Sequence, residues 1–160
     1  MPQQALFLPC LLERWERWVE HGGVRALQSD WDDVSADVIR NLGWLLNSEA
    51  PRWMGSPKNK LPLPSEVAKS VVAYGLPPLE GSLLSGKAAQ DAAEKIKKCI
   101  EDFEPRLDEV SVAPLQTLTD AREYGRMNFR IRGKLRAKPL LPFEVDSEFD
   151  LVTGEARVGA

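Results

Sequence analysis

Phe129-Arg-Ile-Arg-Gly-Lys-Leu-Arg-Ala-Lys138 and, four residues on, Phe143-Glu-Val-Asp-Ser-Glu-Phe-Asp150 decide the fold of this chain. In the first stretch Phe129, Ile131, Leu135 and Ala137 alternate with Arg130, Arg132, Lys134, Arg136 and Lys138. In the second, Phe143, Val145 and Phe149 alternate with Glu144, Asp146, Glu148 and Asp150. A period of two places one set of side chains on each face of a strand, so both stretches read as half-buried strands. With Pro139 to Pro142 as the connection, antiparallel pairing is expected to set Arg136 against Glu144, Lys134 against Asp146, Arg132 against Glu148 and Arg130 against Asp150. The basic stripe is then neutralised by its neighbour. Thr153-Gly154 turns the chain into a last strand with Ala156 and Val158, and Val110 and Val112 mark a short earlier one.

Upstream the period becomes helical. Leu8, Leu11, Leu12, Trp15, Trp18 and Val19 share one face of an amphipathic helix ended by Gly22-Gly23, and its tryptophans read either as core or as a docking face. Acids within Ser29 to Asp33 suit the start of a second helix carrying Val38, Ile39, Leu42, Leu45 and Leu46, closed by Asn47-Ser48 and Pro51. Residues 50–64 are rich in proline and read as loop. Ser65 is placed as the cap of a short helix containing Val67, Val71 and Val72, stopped by Gly75 and Pro77-Pro78. Lys87 to Asp102 forms the next helix, with Ala89, Ala93, Ile96 and Ile100 inward and Asp91/Lys95 and Glu94/Lys98 spaced for ion pairs. The fold class is α+β: amino-terminal helices packed on a small antiparallel sheet formed by the carboxy-terminal third. Residues 1–28 are set apart as a docking segment, and residues 29–160 form one domain.

Between the last helix and the first strand lies Phe103-Glu104-Pro105-Arg106-Leu107. Proline lacks the amide hydrogen of a helix interior and pushes the preceding residue out of helical geometry, so Glu104 marks the helix exit. Pro105 thereby fixes the directions of Glu104 and Arg106. The pair serves as a docking feature, as an internal ion pair, or, with Glu104 isolated in an apolar pocket, as a general acid.

Composition narrows the chemistry. A 160-residue chain buries enough surface for a core without disulfides or metal. Cys10 and Cys99 lack metal-ligand spacing and read as reduced thiols; His21 is the only histidine and sits beside a Gly-Gly turn, so no metal or cofactor is expected. The net charge of −3 favours neither nucleic acid nor anionic membrane, and the stripe from Arg122 to Lys138 lacks stacking aromatics. Gly81 to Lys87 has the spacing of a phosphate loop, but Ala88 replaces the metal-binding hydroxyl and no buried strand precedes it. Glu104 as a glycosidase acid, acting on peptidoglycan, is the alternative reading; Arg106 beside it works against the raised pKa that role needs. The apolar run near the start is too short to span a bilayer, and a cytoplasmic location is expected.

Five segments in order carry a resemblance: Pro9-Cys-Leu-Leu-Glu-Arg14, Val38-Ile-Arg-Asn-Leu-Gly-Trp-Leu-Leu-Asn47, Ser70-Val-Val-Ala-Tyr-Gly-Leu-Pro77, Phe103-Glu-Pro-Arg-Leu107 and the closing strands. Together they resemble TssE, the baseplate wedge subunits of bacterial type VI secretion systems, which are similar to a wedge protein of contractile phage tails. Asn41 and Gly43 stand where that family usually carries acids. The resemblance implies a structural rather than catalytic role in a baseplate docked on the inner-membrane complex. It implies binding to TssF and TssG, initiation of the TssB/TssC sheath, and TssK and the VgrG/Hcp tube base as further candidate neighbours. It also implies protein-binding roles for Glu104, Pro105 and Arg106 toward the wedge, and for Arg130, Arg132, Lys134 and Arg136 toward the sheath.

Overall fold

A computed structural model describes residues 11–21, 31–51, 64–79, 88–115, 126–136, 140–150 and 152–159. Helices α1 (Leu11–His21), α2 (Trp31–Asn47), α3 (Ser65–Ala68) and α4 (Ala88–Phe103) precede strands β1 (Leu107–Pro114), β2 (Arg126–Leu135), β3 (Leu141–Asp150) and β4 (Ala156–Val158). The strands form one antiparallel sheet in the order β1-β2-β3-β4. This is the α+β architecture that the change of period implies.

One face of the sheet makes the core. Phe129, Ile131, Leu135, Phe143, Val145 and Phe149 are buried there, with Phe129 and Phe149 edge to face at 5.5 Å between centroids. Truncating a fully buried aromatic such as Phe129 to alanine would cost about 3–5 kcal/mol. Helix α4 packs against β1 and α2 against β4, and the two helices touch each other. Val34, Val38, Leu42, Leu45 and Leu46 of α2 and Ala92, Ala93, Ile96 and Ile100 of α4 close the core. The small residues of α4 let it lie close to the sheet.

Four expectations change. First, β2 and β3 pair Arg132 with Glu144, Arg130 with Asp146 and Arg126 with Asp150, four residues away from the anticipated register. Leu141 and Pro142 belong to β3, so the connection is shorter than its prolines suggest. An even slip leaves every side chain on its expected face. Second, the valine-bearing helix breaks. The Ser70 hydroxyl donates to the Val67 carbonyl at 2.8 Å, α3 stops at Ala68, and a separate 3-10 turn (Val71–Ala73) leaves Val71 and Val72 exposed. The Pro64 carbonyl accepts from the amides of Val67 and Ala68, and Ser65 is already the first helical residue, so Pro64 holds the cap position expected of Ser65. Third, the ion pairs anticipated on α4 do not form: Lys95 donates to the Pro78 carbonyl at 3.2 Å, and Lys97 pairs with Glu101 at 3.7 Å. Fourth, the tryptophan face of α1 is not core: Trp15 and Trp18 are 64% and 54% exposed, beside exposed Leu11, Leu12 and Val19.

Two backbone devices shape the corner region. The segment Tyr74-Gly75-Leu76 laces onto the end of α2: Leu76 N–H donates to the Ser48 carbonyl at 2.7 Å and Ala50 N–H to the Leu76 carbonyl at 3.0 Å. Gly75 has φ +122°, and a Cβ there would lie 2.5 Å from the Ser48 oxygen. Only glycine fits this crossing. In β1 a bulge lies between Asp108 and Ser111, with Glu109 at φ +51°. It admits an extra residue opposite Gly133 and shifts the alternation, so that Leu107 and Val110 both face the core.

Candidate functional site

Helix α4 ends at Phe103, and Leu107 N–H returns to the Glu104 carbonyl at 3.1 Å, so Glu104 to Leu107 forms a tight turn with Pro105 exposed at its tip. Glu104 is the helix exit, and it points inward: it is only 4% exposed. Arg106 folds back on it with a two-pronged grip, Nε to Oε1 and Nη2 to Oε2, each 2.7 Å. Both carboxylate oxygens therefore accept hydrogen bonds from one guanidinium.

Beneath the turn lies a residue the sequence reading passed over. Asp37 of α2 is 2% exposed, receives a hydrogen bond from Arg40 Nη2, and has Arg106 Nη1 at 3.7 Å from its second oxygen. Arg40 in turn lies over the Trp44 ring, 5.5 Å from its centroid. The series Trp44, Arg40, Asp37, Arg106, Glu104 runs from the surface of α2 into the corner. Two buried carboxylates are thus held by two guanidiniums, which is how a protein makes buried charge tolerable. The signal was present: Asp37 follows Val34 by three and precedes Leu45 by eight, on the buried stripe of its helix, with Arg40 one turn on.

This geometry is a poor general acid. A proton donor to a glycosidic oxygen needs a carboxyl free to face substrate, whereas Glu104 has both oxygens engaged by Arg106. The corner is also tied to the sheet, because Arg136 N–H donates to the Arg106 carbonyl at 2.8 Å.

The second region is the outer face of the sheet, which carries the predicted basic stripe. Each of its four described members meets an acid, and Lys138 lies outside the described residues. Arg130 grips Asp146 at 2.7 and 2.8 Å, Arg132 bonds Glu144 at 2.7 Å, Lys134 meets Glu109 at 2.6 Å, and Arg136 grips Asp108 at 2.7 and 2.8 Å. Acids come from β1 as well as β3, because the four-residue shift places Lys134 opposite Pro142. Arg136 and Arg130 hold the carboxyls of Asp108 and Asp146 below the usual range. The amides of Thr153 and Val152 do the same for Asp150 at the turn into β4. The stripe is a lattice of ion pairs, not a row of open cations.

Other expectations fall outside these regions. Cys99 is buried and donates to the Gly75 carbonyl at 3.3 Å; burial, with Asp102 nearby, pushes its thiol up to about 12. Cys10, the loop over 52–63, Gly81 to Lys87, Arg122, Ala137 to Pro139, and residues 1–10 and 22–28 of the docking segment lie outside the described residues. The side chain of His21 is likewise not described. Among the described residues no group of three histidine, cysteine or acid side chains could hold a metal, and no helix is long and apolar enough to cross a membrane.

A comparison with curated proteins returns no match. A comparison with protein families matches baseplate wedge protein gp25 over residues 32–140, a span that runs from α2 through the corner and the basic strand. With more than half of its length matched, including Asp37, Glu104, Arg106 and Arg130 to Arg136, the chain belongs to the baseplate wedge protein gp25 family, whose members are structural parts of a baseplate.

Proposed function

We propose that this chain is the TssE-type wedge subunit of a type VI secretion baseplate, which binds TssF and TssG and initiates the TssB/TssC sheath from the cytoplasmic side. The family match across the corner and strands β1 and β2 carries this reading. The corner is the wedge-binding feature: Pro105 stands exposed at its tip, Arg106 is 21% exposed, and the Asp37 network holds both in place. Helix α1 adds a second docking element, since an exposed face with two tryptophans is the composition from which interface anchors are drawn. The sheet is the sheath-facing part, and the ion pairs of Arg130, Arg132, Lys134 and Arg136 keep its outer face flat and in register. No catalytic step is assigned.

Co-expression with TssF and TssG and size exclusion tests the wedge half. A stable ternary complex is expected, weakened by Trp15→Ala/Trp18→Ala in a chain with unchanged melting. A folded chain that stays alone would sink the reading. For the sheath half, deletion of residues 151–160 should abolish sheath nucleation and leave wedge binding intact.

A further inference from the structure

Two helices of this chain turn a face to solvent, and the two faces differ in kind. On α4 the exposed residues are Gln90, Asp91, Glu94, Lys97, Lys98 and Glu101, all charged but the first. That is a hydrated surface. On α2, from Val34 to Asn47, the exposed residues are Ala36, Arg40, Trp44 and Asn47, with Gly43 half-buried among them. Helical spacing sets these five along one ridge. The only acid in that span is Asp37, and it is buried against Arg40 and Arg106. A surface face with one charge, a tryptophan and two small residues has the composition of an interface centre, where charge is depleted and tryptophan and arginine carry the binding.

The ridge is held rigid at both ends. Arg40 Nη2 donates to Asp37 Oδ1 while its guanidinium lies over the Trp44 ring. At the far end Asn47 fastens α2 to β4: Ala156 N–H donates to Asn47 Oδ1 at 2.8 Å, and Asn47 Nδ2 donates to the Ala156 carbonyl at 2.7 Å. A partner therefore meets side chains that have little freedom left to lose. Between these ends Gly43 weakens the helix interior, and the chain itself gives no reason for it. Its φ is not positive, and a Cβ there would meet no neighbouring atom within 4 Å. What the missing side chain provides is close access to the backbone of α2 from outside.

Charge along the ridge is one-sided. The side chains of Arg40 and Arg106 are 41% and 21% exposed, whereas the carboxylates that answer them, Asp37 and Glu104, are buried beneath. The network is neutral, yet the potential outside it is positive.

We propose that the α2 ridge seats a partner helix that crosses at Gly43, packs apolar side chains around Trp44 and sets a carboxylate against Arg40. Cations outside and acids beneath select an acidic helix as the occupant. Resting on the baseplate reading above, that helix belongs to the TssF/TssG wedge, and the ridge extends the corner's contact along α2.

Titration of the full chain into purified TssF/TssG tests this by affinity, with melting as the control for folding. Trp44→Ala weakens binding about thirtyfold with little change in melting. Gly43→Gln parts docking from stability, because it improves helix propensity and fills the crossing: melting rises and binding is lost. Ala36→Glu gains an i,i+4 pair with Arg40 but confronts the partner's carboxylate, so it binds about tenfold more weakly than Ala36→Gln. Added salt narrows that gap, and Lys98→Ala on α4 binds like the parent. Parent-like binding by both Trp44→Ala and Gly43→Gln would overturn the ridge and leave the wedge reading standing. Equal affinities for the two Ala36 variants would overturn the acidic occupant. A folded parent that does not bind TssF/TssG at all removes the wedge reading and the ridge's occupant together.

Discussion

The corner and the outer sheet face use the same chemistry, arginine against carboxylate at 2.7 Å, in opposite surroundings. At the corner Asp37 and Glu104 are buried, so every charge must be answered within the protein. On the sheet the pairs are half exposed, and water can replace either partner. Removing one member of a buried network leaves an uncompensated charge, whereas a surface pair is screened and contributes little beyond register. The difference teaches that an ion pair's geometry says less about its stabilising effect than its burial does.

That contrast can be broken or sharpened by mutation. Arg106→Ala strands the buried Glu104 carboxylate, leaves Asp37 to Arg40, and should destabilise the chain by about 3–5 kcal/mol, read as the largest fall in denaturant midpoint of the set. A loss no greater than that of Arg132→Ala would erase the distinction. Gly75→Ala tests the backbone support under the corner: a positive φ and a carbonyl in the way of the new Cβ should cost at least about 1–3 kcal/mol. Replacing the pair together, Glu104→Leu with Arg106→Met, should cost clearly less than Arg106→Ala alone, because no Glu104 charge is left behind. Restoring melting but not TssF/TssG binding in that double variant would separate the corner's structural part from its docking part.

Acid should find the outer face. Asp108, Asp146 and Asp150 have lowered folded-state pKa values, so their stabilisation is complete above the ordinary aspartate value of about 3.9 and is lost as pH falls through the lower folded values. Melting should be flat from about pH 7 to 5 and decline below about pH 4; a decline already under way at pH 6 would contradict the assignment. Smallest of all, Arg132→Ala should move the melting temperature by less than about 3 °C.

Much of this contrast was legible before any coordinates. Strict alternation announced the sheet and its charged face, and Pro105 announced the corner, because sterics and period act locally. Register was misjudged by four residues because any even shift satisfies the same alternation; only the pairing of Leu135 with Leu141 resolves it. Asp37 was missed because an acid amid apolar residues looks like a helix's solvent side until the opposing guanidinium is seen. The role of Asn47 was equally hidden, since its partner Ala156 lies 109 residues away. The break after α3 depends on one hydroxyl choosing a carbonyl, a competition that hydrophobic spacing does not register.

The lacing of Leu76 onto Ser48 and Ala50 has a practical corollary. It pins the chain just after α2 to the chain just after the 3-10 turn, so the sheet and corner do not depend on how much chain lies between Ala50 and Leu76. Loop-closure entropy grows only with the logarithm of length, by about 0.6 kcal/mol per doubling. A fluorescent tag or an affinity epitope spliced in between Pro51 and Pro64 is therefore expected to leave the corner and the sheet intact.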